Sequence, residues 1–146
     1  LSHHAELIIM DEPTSGLDPI FRRELLDILH DLMQDGEKTI FFSTHITTDL
    51  DRIADYITFI HNGEHIFTKE FYRIEENYAI VKGGMELLDA DTEREFIAIR
   101  KSAHGFVALT DRKARVRNIF GDMVLMEKPT LEDIMFYTKK GAEQYV

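Results

Sequence analysis

The chain has 146 residues, of which 44% are hydrophobic and 30% charged, and this composition is ordinary for a globular protein of one domain or two small ones. Its formal net charge of -10 disfavours nonspecific binding to nucleic acid or anionic lipid, because the field of the whole protein repels phosphate. The sequence has no cysteine, which excludes a disulfide framework and thiolate chemistry, and no apolar run approaches the roughly 18 residues of a membrane-spanning helix.

The first part of the sequence predicts a β-α-β-α-β succession. Residues 7–10 (LIIM) form a continuous apolar run, typical of a strand that is buried on both faces. Asp18 and Pro19 predict the start of a helix, with an acid as N-cap and proline at the first helical position, and Gly36 ends it. A second strand (KTIFFSTH), a shorter helix over roughly residues 47–54 and a third strand (YITFI) follow.

Because strands alternate with helices over residues 5–61, we expect an α/β fold with a mostly parallel sheet and right-handed crossover helices. Residues 61–64 (HNGE) contain Asn-Gly, which is a strong hairpin signal, and the return strand HIFT adds an antiparallel edge.

The pattern changes after about residue 68. We expect strands in YAIVKGG, FIAIRKS, HGFVALT and MVLMEKP, a helical turn in MELLDADTERE, and a helix in DRKARVRNIFG between a cap at Asp111 and a stop at Gly121. A last helix follows in TLEDIMFYTKKG, where Thr130 and Asp133 can form a capping box. The middle of this region reads β-α-β-β-α-β, the split pattern of small ferredoxin-like α/β sandwiches. We therefore predict two domains, residues 1–68 and a small α/β accessory domain over residues 69–146.

Two acids and a histidine follow predicted strands directly. Asp11 and Glu12 end the first strand and His45 ends the second, and ligands of open parallel sheets bind outside this carboxyl edge. A carboxylate there can hold Mg²⁺, a second can orient and deprotonate a water, and an imidazole can stabilise a transferring phosphoryl group. The plainer interpretation is that the acids merely end a strand and that the histidine is an exposed loop residue.

The surrounding residues favour the chemical interpretation. DEPTSGLDP and, further on, STH with DRIADYITFIHNGE resemble the ATP-binding cassette (ABC) ATPases, whose sheet is of the P-loop NTPase type. The resemblance implies that Asp11 ends the Walker B strand and contacts Mg²⁺ through water. It also implies that Glu12 is the catalytic base that polarises the attacking water, and that His45 is the switch histidine that contacts the γ-phosphate of ATP. Four residues then form the D-loop, which meets a partner subunit and the nucleotide between subunits: Ser15, Gly16, Leu17 and Asp18.

Other motifs of the family do not occur in the sequence. There is no phosphate-binding loop of the form G-x-x-x-x-G-K-[ST] and no LSGGQ-like signature, and the chain lacks an initial methionine. We therefore expect a C-terminal fragment of a longer ATPase that by itself binds ATP weakly and does not hydrolyse it. KPTLEDIMFYTKKG resembles the tail of bacitracin-resistance-type exporters. If the sheet is incomplete, its uncovered strands predict self-association of the chain.

Two functional interpretations follow from the resemblance. In the first, the chain is part of the ATP-hydrolysing subunit of an ABC transporter. Such a subunit is cytoplasmic, forms homodimers or heterodimers of nucleotide-binding subunits, and reaches the membrane only through permease subunits. In the second, residues 69–146 are a regulatory or dimerisation module without catalytic activity of its own. Neither interpretation involves nucleic acid, and neither names the transported substrate.

Overall fold

A computed structural model of the chain describes residues 6–144. The described chain divides into two compact units, the first ending at Ala54 and the second beginning at Asp55. Helices long and apolar enough to cross a membrane are absent from this part of the chain. The boundary predicted at residue 68 marks where the family resemblance ends, whereas the boundary at residue 54 separates compact units. The boundary at residue 68 stays a prediction.

The first unit contains one parallel strand pair and two helices. β1 pairs with β2 in register from Leu7 opposite Thr39 to Asp11 opposite Ser43. The elements in chain order are β1 (Leu7–Asp11), α1 (Pro19–Met33), β2 (Thr39–Ser43) and α2 (Thr47–Ile53). This order confirms the predicted β-α-β-α succession, and the parallel register brings the carboxyl ends of both strands to one edge.

Helix α1 begins where the sequence predicted. The Asp18 carboxylate accepts hydrogen bonds from the backbone amides of Ile20 (2.9 Å) and Phe21 (3.1 Å), and Pro19 occupies the first helical position. These bonds satisfy amides that would otherwise lack partners at the start of the helix. The helix ends at Met33, and Gly36, with φ of 71°, follows in the left-handed conformation that glycine adopts at low cost.

The prediction that β1 is buried on both faces is wrong for the described residues. Leu7, Ile9 and Phe41 are 54%, 70% and 63% exposed. The opposite face of the strand pair packs on a core that α1 and α2 supply with Leu26, Leu29 and Ile53. Alternation of side chains along a strand explains the difference, because two helices that cover one face leave every second residue on the other.

The third predicted strand does not extend the parallel pair. β3 (Tyr56–His61) forms an antiparallel ladder with β4 (Glu64–Glu70), which confirms the hairpin. Asn62 and Gly63 both have positive φ, 51° and 76°, as a tight two-residue turn requires. Among the described strands only β1 and β2 pair in parallel, so the predicted mostly parallel sheet is confirmed in that pair alone. The two-residue turn explains the antiparallel direction, since it reverses the chain and pairs β3 with the strand that follows it in sequence.

The second unit also contains a four-stranded antiparallel sheet in the order β6-β7-β5-β8. Each of its longer connections skips one strand, because β7 lies between β5 and β6 and β5 lies between β7 and β8. This is the predicted split arrangement. The strands are β5 (Ala79–Gly83), β6 (Ala98–Ser102), β7 (Gly105–Thr110) and β8 (Leu125–Glu127), and the helices are α3 (Phe71–Asn77), α4 (Lys113–Phe120) and α5 (Leu131–Gln144).

The ends of these elements confirm some predictions and correct others. Thr130 and Asp133 form the capping box, with amide-to-side-chain bonds of 2.9 and 3.1 Å, and Gly121 (φ 54°) follows α4. Asp111 is not the cap of α4, because Arg112 holds that position and its amide donates to the Thr110 hydroxyl (3.0 Å). The predicted turn in MELLDADTERE consists of two short 3₁₀ segments, Met85–Leu87 and Thr92–Glu95.

One core cluster of the second unit lies between its four-stranded sheet and helix α4. Its members are apolar residues of 9% exposure or less: Ala79, Val81, Phe96, Phe106, Ala108, Val116, Phe120 and Val124. Phe96 stacks on Phe120, with ring centroids 6.0 Å apart, and contacts Phe106 at 5.7 Å. Burial of such aromatic side chains is a main source of stability in small domains, so this unit carries a core of its own.

Candidate functional site at the carboxyl edge of β1 and β2

The register of the parallel strands places the two acids. Asp11 lies opposite Ser43, whose hydroxyl donates a hydrogen bond to the Asp11 carboxylate. The Glu12 amide extends the ladder by one bond to the Ser43 carbonyl (2.8 Å). Both carboxylates therefore leave the sheet at its carboxyl edge, where ligands of parallel sheets bind.

Glu12 and His45 are in direct contact. Glu12 Oε1 accepts a hydrogen bond from the His45 backbone amide (3.0 Å), and the ring atom His45 Nδ1 lies 3.0 Å from the same oxygen. The Glu12 side chain is 33% exposed and the His45 side chain 73%. The predicted meeting of these two residues at one edge of the sheet is therefore observed.

The backbone and the second carboxylate oxygen of Glu12 are both unusual. Glu12 has φ of 45°, in the left-handed region that residues other than glycine rarely occupy, and such strain is often found at functional sites. Its Oε2 atom is buried and has no hydrogen-bond partner among the described residues. Since a buried acceptor without a partner is costly, this oxygen suits a water or a ligand supplied from outside the chain.

The donor atoms at this edge are of the kind that Mg²⁺ prefers. Asp11 and Glu12 offer carboxylate oxygens, and Mg²⁺ in proteins is bound by one or two carboxylates together with waters and substrate phosphates. Within residues 6–144, no three His, Asp or Glu side chains converge as a complete metal cage. The carboxylate oxygens therefore fit a magnesium ion, with water and phosphate as its remaining ligands.

The predicted D-loop residues form two successive turns on the surface. The Ser15 amide donates to the Glu12 carbonyl (3.1 Å) and the Leu17 amide to the Thr14 carbonyl (3.2 Å), while Gly16 has φ of 78°. Ser15, Gly16, Leu17 and Asp18 are all exposed. The Asp18 carboxylate caps α1, which gives this residue a structural role; contact of the loop with a partner or nucleotide stays a prediction.

Sequence reasoning missed a polar cluster beside the site, formed by the buried Thr14 and Asp49 with the partly exposed Arg22 and the exposed Thr48. Thr14 and Asp49 are each 1% exposed, and the Thr14 hydroxyl donates to Asp49 Oδ2. Arg22 Nε donates to Asp49 Oδ1 (2.6 Å), and Arg22 Nη2 donates to the Thr48 hydroxyl (2.6 Å). The spacing of Asp49 and Ile53 could have indicated the cluster. Residues four apart share one face of a helix, so Asp49 lies on the buried face of α2 with Ile53, and a buried carboxylate needs a cation as partner.

Comparison with known proteins identifies the relatives of the chain. No family model matches it. A protein of Mycoplasma pneumoniae, named as an ABC transporter ATP-binding protein, is 30% identical over 152 residues, which covers 100% of this chain. The bacitracin transport ATP-binding protein BcrA of Bacillus licheniformis is 42% identical over 64 residues, or 44% of this chain. A fluoroquinolones export ATP-binding protein of Mycobacterium tuberculosis is 43% identical over 63 residues, or 43% of this chain.

The homologues of this chain are ATP-binding proteins of ABC transporters. The resemblance read from DEPTSGLDP and STH is thereby confirmed. The alignments cover 45%, 21% and 21% of these three relatives, so the chain spans less than half the length of the ABC proteins that it matches.

Proposed function

We propose that this chain is part of the ATP-hydrolysing subunit of an ABC transporter and that the whole subunit couples ATP hydrolysis to export across a membrane. The observation that carries the proposal is the contact between Glu12 and His45 beside Asp11, at the carboxyl edge of a parallel strand pair. The names of relatives for bacitracin transport and fluoroquinolone export support the direction. The proposed partners are permease subunits and a second nucleotide-binding subunit, which the exposed loop around Gly16 contacts from the cytoplasmic side.

The three side chains of the site, Asp11, Glu12 and His45, have different roles in the proposed reaction. Bound Mg²⁺ would neutralise charge on the phosphates of ATP, and Asp11 is the side chain that would hold it through water. Glu12 Oε1 is occupied by the His45 amide, so the unpartnered Oε2 is the oxygen that orients the attacking water and accepts its proton. His45 Nδ1 lies against Glu12, which leaves Nε2 as the ring atom that contacts an oxygen of the transferring phosphoryl group.

Replacement of Glu12 tests the proposal in the whole protein. Glu12→Gln preserves the size of the side chain but removes its basicity, so we expect ATP turnover to fall by at least about 10²-fold while ATP binding is retained. Glu24→Gln is the matched control, because Glu24 is an exposed acid on α1 outside the site and should leave turnover unchanged. Normal turnover of Glu12→Gln would refute the role of Glu12.

The isolated chain provides a second test. It contains no G-x-x-x-x-G-K-[ST] loop, whose amides and lysine hold the β- and γ-phosphates in P-loop proteins. We expect the 146-residue chain to bind ATP weakly and not to hydrolyse it. Tight binding of ATP to this chain in a calorimetric titration would contradict the expectation.

We also propose, as an alternative, that residues 69–146 are a regulatory or dimerisation module. The four-stranded sheet and the aromatic core within this segment support the proposal, because they can form without the ATPase site. Deletion of residues 69–146 from the whole protein should leave ATP turnover in place but change its regulation or the assembly of the dimer. Loss of turnover in a folded deletion variant would contradict a purely regulatory function.

A further inference from the structure

The proposed catalytic pair lies on two chain segments that contact each other at three points. These segments are residues 12–14, after β1, and residues 43–49, from the end of β2 into α2. The Glu12 amide binds the Ser43 carbonyl, the Glu12 carboxylate binds His45, and Thr14 binds Asp49. The first contact fixes the register of the two backbones at the sheet, and the other two fix the geometry beyond it.

The two contacts beyond the sheet differ in burial. His45 and Glu12 are 73% and 33% exposed, and exposed ion pairs hold their geometry weakly because water competes for both partners. Thr14 and Asp49 are both 1% exposed. A hydrogen bond to a buried carboxylate is shorter and stronger than a neutral one, so this bond is the firmer constraint on the spacing of the two segments.

Asp49 is itself fixed from the other side. Arg22, on α1, donates to Asp49 Oδ1 while Thr14 donates to Oδ2, so each carboxylate oxygen has a partner from a different part of the chain. The orientation of the carboxylate is therefore set, and Thr14, two residues after Glu12, is attached to α2, which begins two residues after His45.

We propose that Thr14 and Asp49 are positioning residues for Glu12 and His45. Their buried bond sets the distance between the Glu12 carboxylate and the His45 segment, and with it the placement of the attacking water. This role rests on the proposed ATPase function, but the structural part of it can be measured without ATP.

The first experiment measures hydrogen exchange of the His45 amide by NMR in the 146-residue chain. Thr14→Val keeps the shape of the side chain and removes the donor to Asp49, so the His45 amide should exchange faster, while Thr14→Ser should restore the slow rate. Thr110→Val is the matched control, because Thr110 is also fully buried and donates through its hydroxyl, but to Glu95 in the second unit. Unchanged exchange at His45 in folded Thr14→Val would overturn the proposal.

The second experiment measures kcat and KM for ATP in the whole protein. A misplaced water and histidine should lower kcat by about 10²-fold with little change in KM, because a small displacement of reacting groups acts on the chemical step. Thr14→Ser should recover activity, and Thr110→Val should retain it. A folded Thr14→Val protein with normal kcat would overturn the role in catalysis. If Glu12→Gln is also fully active, the ATPase assignment fails separately, and the His45 exchange rate still decides the structural part.

Discussion

Removal of the Arg22 guanidinium should destabilise the first unit strongly. Asp49 is 1% exposed and lies 2.6 Å from Arg22 Nη2. Arg22→Met therefore leaves a buried carboxylate to which, within residues 6–144, only the Thr14 hydroxyl donates. Breaking a buried ion pair in this way costs about 3–5 kcal/mol. Because the Arg22 side chain is 31% exposed and water can reach its place, we expect the lower end, about 3 kcal/mol.

A loss of about 3 kcal/mol is large relative to the free energy of unfolding of the first unit. At about 0.05–0.15 kcal/mol per residue, a unit of about 50 residues has a free energy of unfolding of about 2.5–7.5 kcal/mol. Arg22→Met should therefore unfold a measurable fraction of the first unit. Urea unfolding followed by circular dichroism, with amide exchange across α1 and β1, measures the change.

A double variant distinguishes two causes of the lost stability, the unpaired buried charge of Asp49 and the missing contacts of Arg22. Arg22→Met combined with Asp49→Leu removes both charges, and apolar replacement of a buried pair is often neutral or stabilising, so most of the lost stability should return. Arg52→Met is the control, because Arg52 pairs with Asp27 at 3.5 Å with both side chains exposed and should change stability by about 0–1 kcal/mol. If Arg22→Met costs no more than Arg52→Met, the reasoning about Asp49 is wrong.

Three further results are expected. Leu29→Ala, at 1% exposure in the core of the first unit, should cost about 2–5 kcal/mol by chemical unfolding, whereas Ile28→Ala, at 50% exposure on the same helix, should cost much less. The amide and hydroxyl of Thr92 hold the pKa of the Asp89 carboxyl below its ordinary value. The ionised Asp89 therefore stabilises the folded state above about pH 3.9, and this contribution is lost as the pH falls through the lower pKa of the folded state. An NMR titration should show the lowered pKa, and Thr92→Ala should raise it. Phe41→Lys, on the exposed face of β2, should reduce self-association of the chain in sedimentation, and a wild-type chain that is a monodisperse monomer would contradict that association.

Elements with a local chemical signal could be predicted from the sequence. Asp18 and Pro19 locate the start of α1, and Asn62 with Gly63 locates the hairpin, because each signal acts through bonds or dihedral angles within a few residues. Helix α3 (Phe71–Asn77) was not predicted. The side chain of its N-cap, Glu70, bonds to Arg73 and accepts no capping hydrogen bond from a backbone amide of the helix, so the sequence carries no start signal there.

Features that depend on distant partners were harder to predict. The meeting of Glu12 and His45 follows from the rule that parallel strands end at one edge, and the structure shows it. The bonds of Asp49 to Thr14 and Arg22 span 35 and 27 residues and depend on how α1 packs on α2, which hydrophobic spacing does not specify. The exposure of Ile9 was missed for a similar reason, since a continuous apolar run does not indicate how many of its faces are covered.

The loop from Ser15 to Leu17 is short, and the residues on both sides of it are held by hydrogen bonds. At one end Thr14 is fastened to the interior through Asp49, and at the other end Asp18 is bound by the first amides of α1. Only three residues separate these two bonded positions, so the loop is directly continuous with both. A protein that displaces the loop would therefore act on the start of α1 or on the segment that carries Glu12, and binding at the surface would be transmitted to the site.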